Sequence, residues 1–195
     1  MTNSSDNHGL AQAVHDLGAA LWFGGSVMGV AGVNKSGQDL TSGIDRIRVA
    51  SSAWQRFAPA QWGGIAATAL AGLRLSATNK GRLAAQEGFR RTGAAKVAVT
   101  VLGAGATAYA AYSGMQIGKL AEAAHARGEN VDTKDATLPS PATPPEIAAW
   151  QQRQRVAQAL VPVLSGANIV LTSYLVQAYR PRATLQGLAG KVLPG

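Results

Sequence analysis

Four stretches of this chain contain no Asp, Glu, Lys or Arg: residues 17–33, 57–73, 97–118 and 156–179, which are 17, 17, 22 and 24 residues long. About 20 helical residues cross the roughly 30 Å apolar core of a bilayer, so each run has the length of a membrane-spanning helix. A soluble four-helix bundle would need a polar face on every helix, and hence a charge every turn or two. The runs lack that pattern. The near-zero mean hydropathy of the whole chain does not oppose insertion, because polar segments between the runs set it.

The expected fold is therefore all-α: a bundle of four transmembrane helices in a single integral membrane domain over 1–195, with spans near 11–34, 57–75, 95–119 and 154–179. Asn34, Lys35 and Gly37 end the first span. Thr41, Ser42 and Asp45 mark a helix start. Ile44, Ile47 and Trp54 then fall on one face and Arg46 and Arg56 elsewhere, the pattern of an interfacial amphipathic helix before span two. Trp54 and Trp62 bracket Pro59, which reads equally as a kink or as the first-turn proline of a new helix. Lys119 closes span three. The mixed charges of 120–143 and the following LPSPATPP predict a solvated, partly disordered polar loop. Thr143 with Glu146 has capping-box spacing, with prolines between, so the last helix should begin near 144. Pro162 is a candidate bend in it.

Gly25 and Gly29 form a GxxxG pair in span one, and Gly114 and Gly118 form another in span three. Small residues at this spacing let a neighbouring backbone approach, so these four are the helix-packing candidates. Trp22-Phe23-Gly24-Gly25 and Trp62-Gly63-Gly64 could trace an internal repeat; coincidence in a Gly/Ala-rich sequence is the simpler account. Among intramembrane polar residues, Gln61, Gln116 and Asn168 need partners in lipid and should face the bundle interior or the headgroups. Asn168, nearest the middle of its span, is read first as an interhelical hydrogen-bonding group.

Chemistry is scarce. There is no cysteine, and no P-loop, GxSxG or HExxH occurs. Of the three histidines, His8 and His125 lie in polar segments; His15 next to Asp16 is read as an interfacial capping or hydrogen-bonding group and not as a metal or haem ligand. No cofactor, metal or catalytic residue is expected. The net charge of +8 would suggest nucleic acid for a soluble chain; with basic residues near the span ends it points to anionic lipid headgroups. Arg74, Lys80, Arg82, Arg90, Arg91 and Lys96 crowd one connection, 74–96. With Arg180, Arg182 and Lys191 they make nine basic residues on one side against nine on the other, so density decides and places the termini in the cytoplasm. The first run, lacking a basic region before it and a clear cleavage site after it, reads as an uncleaved span.

The stretch HDLGAALWFGG at His15–Gly25, with four spans and a proline-rich loop before the last, resembles small, functionally uncharacterised four-span membrane proteins of actinobacterial type. The resemblance implies a multi-pass protein of the cell membrane and no particular activity. The expectation is a non-enzymatic scaffold or accessory subunit with the bilayer and a protein as partners and no nucleic acid. The alternative is a component of a small-solute or ion transporter or channel, which a water-filled cavity lined by Gln61, Gln116 and Asn168 would favour.

Overall fold

The computed structural model describes residues 4–79 and 87–177. Four long helices dominate it: α1 Ser4–Met28, α2 Gly43–Thr78, α3 Glu87–Ala126 and α4 Pro145–Gln177. The helical path of α1 continues through a π turn at Gly29–Val33, a short turn at Asn34–Ser36 and a 3-10 turn at Gly37–Asp39. The helices pack in cyclic order, with α1 against α2 and α3 against α4 as the two intimate pairs and looser α2–α3 and α1–α4 seams. Close approaches between Gly18 and Gly64, Gly25 and Phe57, and Gly29 and Trp54 run in opposite sequence directions, so α1 and α2 are antiparallel.

Among the described residues, three helical stretches are long and apolar enough to cross a membrane: His8–Asp39, Gly88–Ala126 and Pro145–Gln177. The interior of the bundle holds polar side chains beside its apolar core, and its surface carries large apolar side chains. Ser165, Asn168 and Gln151 are completely buried, whereas Leu17, Leu70 and Val170 are each about two-thirds exposed or more. In water those exposed apolar side chains would contribute nothing to the fold and would leave a large apolar surface uncovered. Surrounded by hydrocarbon, buried amides and hydroxyls and outward leucines are the favourable choice. Most buried hydroxyls are satisfied within their own helix: Ser26, Thr68, Thr107, Ser165 and Thr172 each donate to the carbonyl four residues earlier.

Several expectations require correction. The segment before span two is no separate interfacial helix. Residues 43–78 form one helix, about 54 Å long at 1.5 Å per residue, with Pro59 inside it and not in a first turn. Its apolar face does not lie on lipid, because Ile44 and Ile47 join Ile117, Ala121, Val131 and Ile147 in a core at one end of the bundle. Nor is the polar loop 120–143 a solvated, partly disordered connection. The third helix runs past Lys119 to Ala126, where Gly128, at φ 76°, stops it. The Gly128 amide donates to His125 O and the Glu129 amide to Ala124 O, both at 3.0 Å, the hydrogen-bond pair of a Schellman stop.

The remainder of the loop folds back onto the bundle. Val131, Thr133, Asp135, Ala136 and Thr137 are buried, and the Asp135 carboxylate accepts the Thr137 and Leu138 amides, both at 2.7 Å. The last helix begins at Pro145, close to the expected 144, but the Thr143 hydroxyl serves the loop. It donates to Asp132 O at 2.5 Å and accepts from the Ser140 amide. The basic stretch 74–96 is helical at both ends, through Thr78 and from Glu87; Lys80 and Arg82, like Arg180, Arg182 and Lys191, lie outside the described residues.

Candidate functional site: a polar cleft between two helices

The π turn at Gly29–Val33 determines what faces the interior near the loop end of α1. Upstream, His15, Ala19, Trp22, Ser26 and Gly29 form a buried stripe at helical spacing. A regular α-helix would bring Val33 inward next. One extra residue in the wide turn turns Asn34 inward instead, and Asn34 is buried whereas Val33 is only half-buried. Its amide nitrogen donates to Gln158 Oε1 on α4 at 2.6 Å, and its carbonyl accepts from Trp54 Nε1 on α2 at 2.9 Å. Asn34 thus ties three helices together in one place.

Beside this knot the loose α2–α3 seam opens into a cleft of about 860 Å³. Its floor carries Asn34, Gln61, Gln154 and Gln158, with the hydroxyls of Ser26 and Thr107. The Gln61 amide donates to Ser26 Oγ at 3.4 Å and the Gln154 amide to Ala110 O at 3.4 Å. Both are long bonds. They leave the second amide atom of each glutamine outside these contacts, as the Asn34 bond does for the nitrogen of Gln158. The remaining lining is mostly small or apolar, with Ser51, Ser52 and Gln55 as further polar groups and the exposed Trp62 and Met115 among the large apolar ones. At the loop-side end Arg48 spans the seam to Glu122 with two parallel bonds, Nε to Oε1 and Nη2 to Oε2, both 2.7 Å. The bond to Glu122 raises the pKa of the exposed Arg48 guanidinium above its already high range.

The other candidates separate. Gln116 is half-buried and does not line the cleft. Asn168 is fully buried between α4 and α3, donating to Thr100 Oγ1 at 2.5 Å. That is the interhelical bond expected of it. Of Gln61, Gln116 and Asn168, whose shared cavity would favour a transporter, Gln61 alone lines the cleft, together with Asn34, Gln154 and Gln158. From the sequence Asn34 reads only as the end of span one and Gln154 lies outside the charge-free runs, while Gln158 is one of the polar residues inside the fourth run; the i, i+4 spacing of Gln154 and Gln158 is the local signal that places them on one face.

All four packing glycines line helix contacts or the cleft. An added Cβ at Gly25 would fall 2.1 Å from the Phe57 ring and one at Gly29 2.1 Å from the Trp54 ring. At Gly114 it would meet Gln154 Nε2 at 2.6 Å, and at Gly118 only Ser51 Oγ at 4.0 Å. Trp22 and Trp62 differ, the first completely buried and the second partly exposed, so the two Trp-Gly-Gly stretches do not occupy equivalent environments. His15 is fully buried, with Nδ1 3.0 Å from the exposed Asp16 carboxylate, and its ring packs toward Gly72. His15 Nε2 is buried without a hydrogen-bond partner, and Lys96 of α3 lies within electrostatic reach of both residues.

This chain matches no protein-family model, no curated protein and no solved structure. The geometry of the bundle and its cleft therefore carries the functional reading by itself.

Proposed function

We propose that this chain is a four-span integral protein of the cell membrane that acts without catalysis, as a scaffold or accessory subunit. The distribution of polarity in the bundle carries the reading: many amides and hydroxyls are buried, while leucine and valine side chains are exposed on every long helix. On this view α2 supplies the fourth span despite its lower hydropathy. Its Gln61 and Thr68 are buried while Leu70 and Leu73 are exposed, so its polar side chains face protein and its apolar ones face lipid. The termini and the basic connection 74–96 then lie in the cytoplasm, where anionic headgroups attract Lys and Arg. The bilayer and a membrane protein are its partners, and nucleic acid is not. Alkaline carbonate washing of membranes tests the assignment. Retention in the pellet is expected, and release into the supernatant would overturn it.

A second reading, a component of a small-solute transporter, draws on the cleft and its uncharged amides. Proteoliposome swelling in glycerol or urea checks it: permeation above that of empty vesicles would favour transport over scaffolding.

A further inference from the structure

We infer that the cleft between α2 and α3 binds an uncharged amphiphile taken from the bilayer, a hydroxyl-headed lipid of the monoacylglycerol class. The inference rests on the membrane assignment proposed above and adds a ligand to it. The cleft's volume of about 860 Å³ falls in the range that holds small-molecule ligands, roughly 300–1,000 Å³. Its floor offers amide donors and acceptors from Gln61, Gln154 and Gln158 beyond the bonds they already make. Amide atoms left without partners in an apolar medium are costly, so a bound head carrying both donors and acceptors would stabilise the seam. The floor has no formal charge. At the loop-side end Arg48 and Glu122 neutralise one another, leaving Lys119 as the remaining charged side chain on the lining. An anionic headgroup would thus find little to hold it at the floor, and a neutral one is favoured.

The route of entry points to the same class. Besides the exposed polar Ser52 and Gln55, the cleft is lined by Trp62 and Met115, which are 41% and 55% exposed. A molecule entering past Trp62 and Met115 arrives from the acyl-chain region, leaves its tail between those side chains and turns its head inward. A hydroxyl-headed single-chain lipid satisfies both halves of that geometry, whereas a freely water-soluble solute has no reason to concentrate beside exposed apolar side chains.

Native mass spectrometry of the detergent-purified full chain tests the site, with monoolein titrated in parallel with dioleoylphosphatidylglycerol. The expected result is one saturable monoolein per protein, bound in preference to the anionic lipid. Gly118→Leu fills the cleft at a position where an added Cβ has only Ser51 Oγ at 4.0 Å near it. Gln61→Leu removes a floor amide while Ser26 keeps its bond to Trp22 O. Each should weaken monoolein binding roughly tenfold, the value of one well-placed hydrogen bond or a comparable packing contact. Unchanged helical circular dichroism and a single elution peak establish that the variants are folded. Equal monoolein binding by wild type and Gly118→Leu would overturn the proposal, as would a preference for the anionic lipid. So would a dimer that Gly118→Leu abolishes in the absence of any adduct, because a second copy would then cover the cleft. Carbonate release defeats the membrane assignment separately, since the comparison of wild type with Gly118→Leu still reports on the cleft.

Discussion

Gly18 and Gly64 face each other so closely that a Cβ on Gly18 would lie 2.7 Å from Gly64 O, and a Cβ on Gly64 would lie 2.9 Å from Gly18 O. Backbone meets backbone here, with no side-chain end that can swing away. Gly18→Ala and Gly64→Ala should therefore each destabilise the detergent-solubilised protein by about 1–3 kcal/mol, the usual cost of overpacking. Gly24→Ala and Gly63→Ala, where an added Cβ meets nothing within 4 Å, serve as controls. Thermal unfolding of the four variants checks this, and equal melting temperatures for all of them would refute a tight α1–α2 contact.

Gly25 and Gly29 make a graded comparison. The obstacles there are the ring ends of Phe57 and Trp54, whereas Gly32 has only Met28 of its own helix nearby, at 3.1 Å. Gly25→Leu and Gly29→Leu should cost about 1–3 kcal/mol through lost interhelical contact, and Gly32→Leu clearly less. A stripe facing lipid would give the opposite order, since added leucine there assists insertion. Denaturant unfolding of the three variants distinguishes the two cases.

These glycines show which parts of the fold could be read from the chain. The charge-free runs and the small-residue spacing are local properties, and they indicate helices and a close-packed face without knowledge of the partner. That Gly18 meets Gly64 depends on the register of an antiparallel pair, which no local pattern encodes. Gln61 and Asn168 could be identified because polar groups in an apolar run must find partners. Arg46 could not: its guanidinium donates to Leu40 O at 2.8 Å and to Thr133 O, and the second carbonyl is supplied by a loop that its mixed charge made look solvated. The spacing of Asp135 and Thr137 was the local hint that the loop closes on itself, since an aspartate side chain bonds readily to the amide two residues on.

A solvated, partly disordered 120–143 would be readily cut by proteases, and the packed loop should not be. Gln151 Nε2 reaches Thr133 Oγ1 at 2.7 Å and the carbonyls of Asp135 and Ala136 at 3.2 Å each, so the loop should resist limited trypsin digestion after Lys134 in intact membranes. Gln151→Leu removes these bonds, each worth roughly 0.5–1.5 kcal/mol, and takes from Ala136 O its side-chain donor, while Asp135 O keeps the Thr133 hydroxyl. Cleavage after Lys134 should then accelerate several-fold. Equal rates in both proteins would mean that Gln151 does not hold the loop.

Topology follows from charge density. Reporters fused after Gly195 and within 74–96 should both give cytoplasmic signals, because clustered basic residues resist translocation. Neutralising Arg82, Arg90 and Arg91 together should weaken that preference. A periplasmic signal from either wild-type fusion would invert the assigned orientation.

The π turn permits a test that separates register from composition. Each residue of an α-helix turns the chain by about 100°, so deleting one residue from a regular stretch of α1, such as Ala20, rotates everything beyond it and should move Trp22 and Ser26 off the buried stripe. Deleting Ala31 should do much less. The Gly29–Val33 turn contains one residue more than regular α-helical winding needs, and removing it lets the helix wind normally while Asn34 still points inward to Gln158 and Trp54. The Ala31 deletion should retain a cooperative melt, with a loss of about 1–3 kcal/mol from altered packing. The Ala20 deletion should abolish the cooperative transition. Equivalent loss of folding in the two deletions would show that the wide turn does not set the register of Asn34.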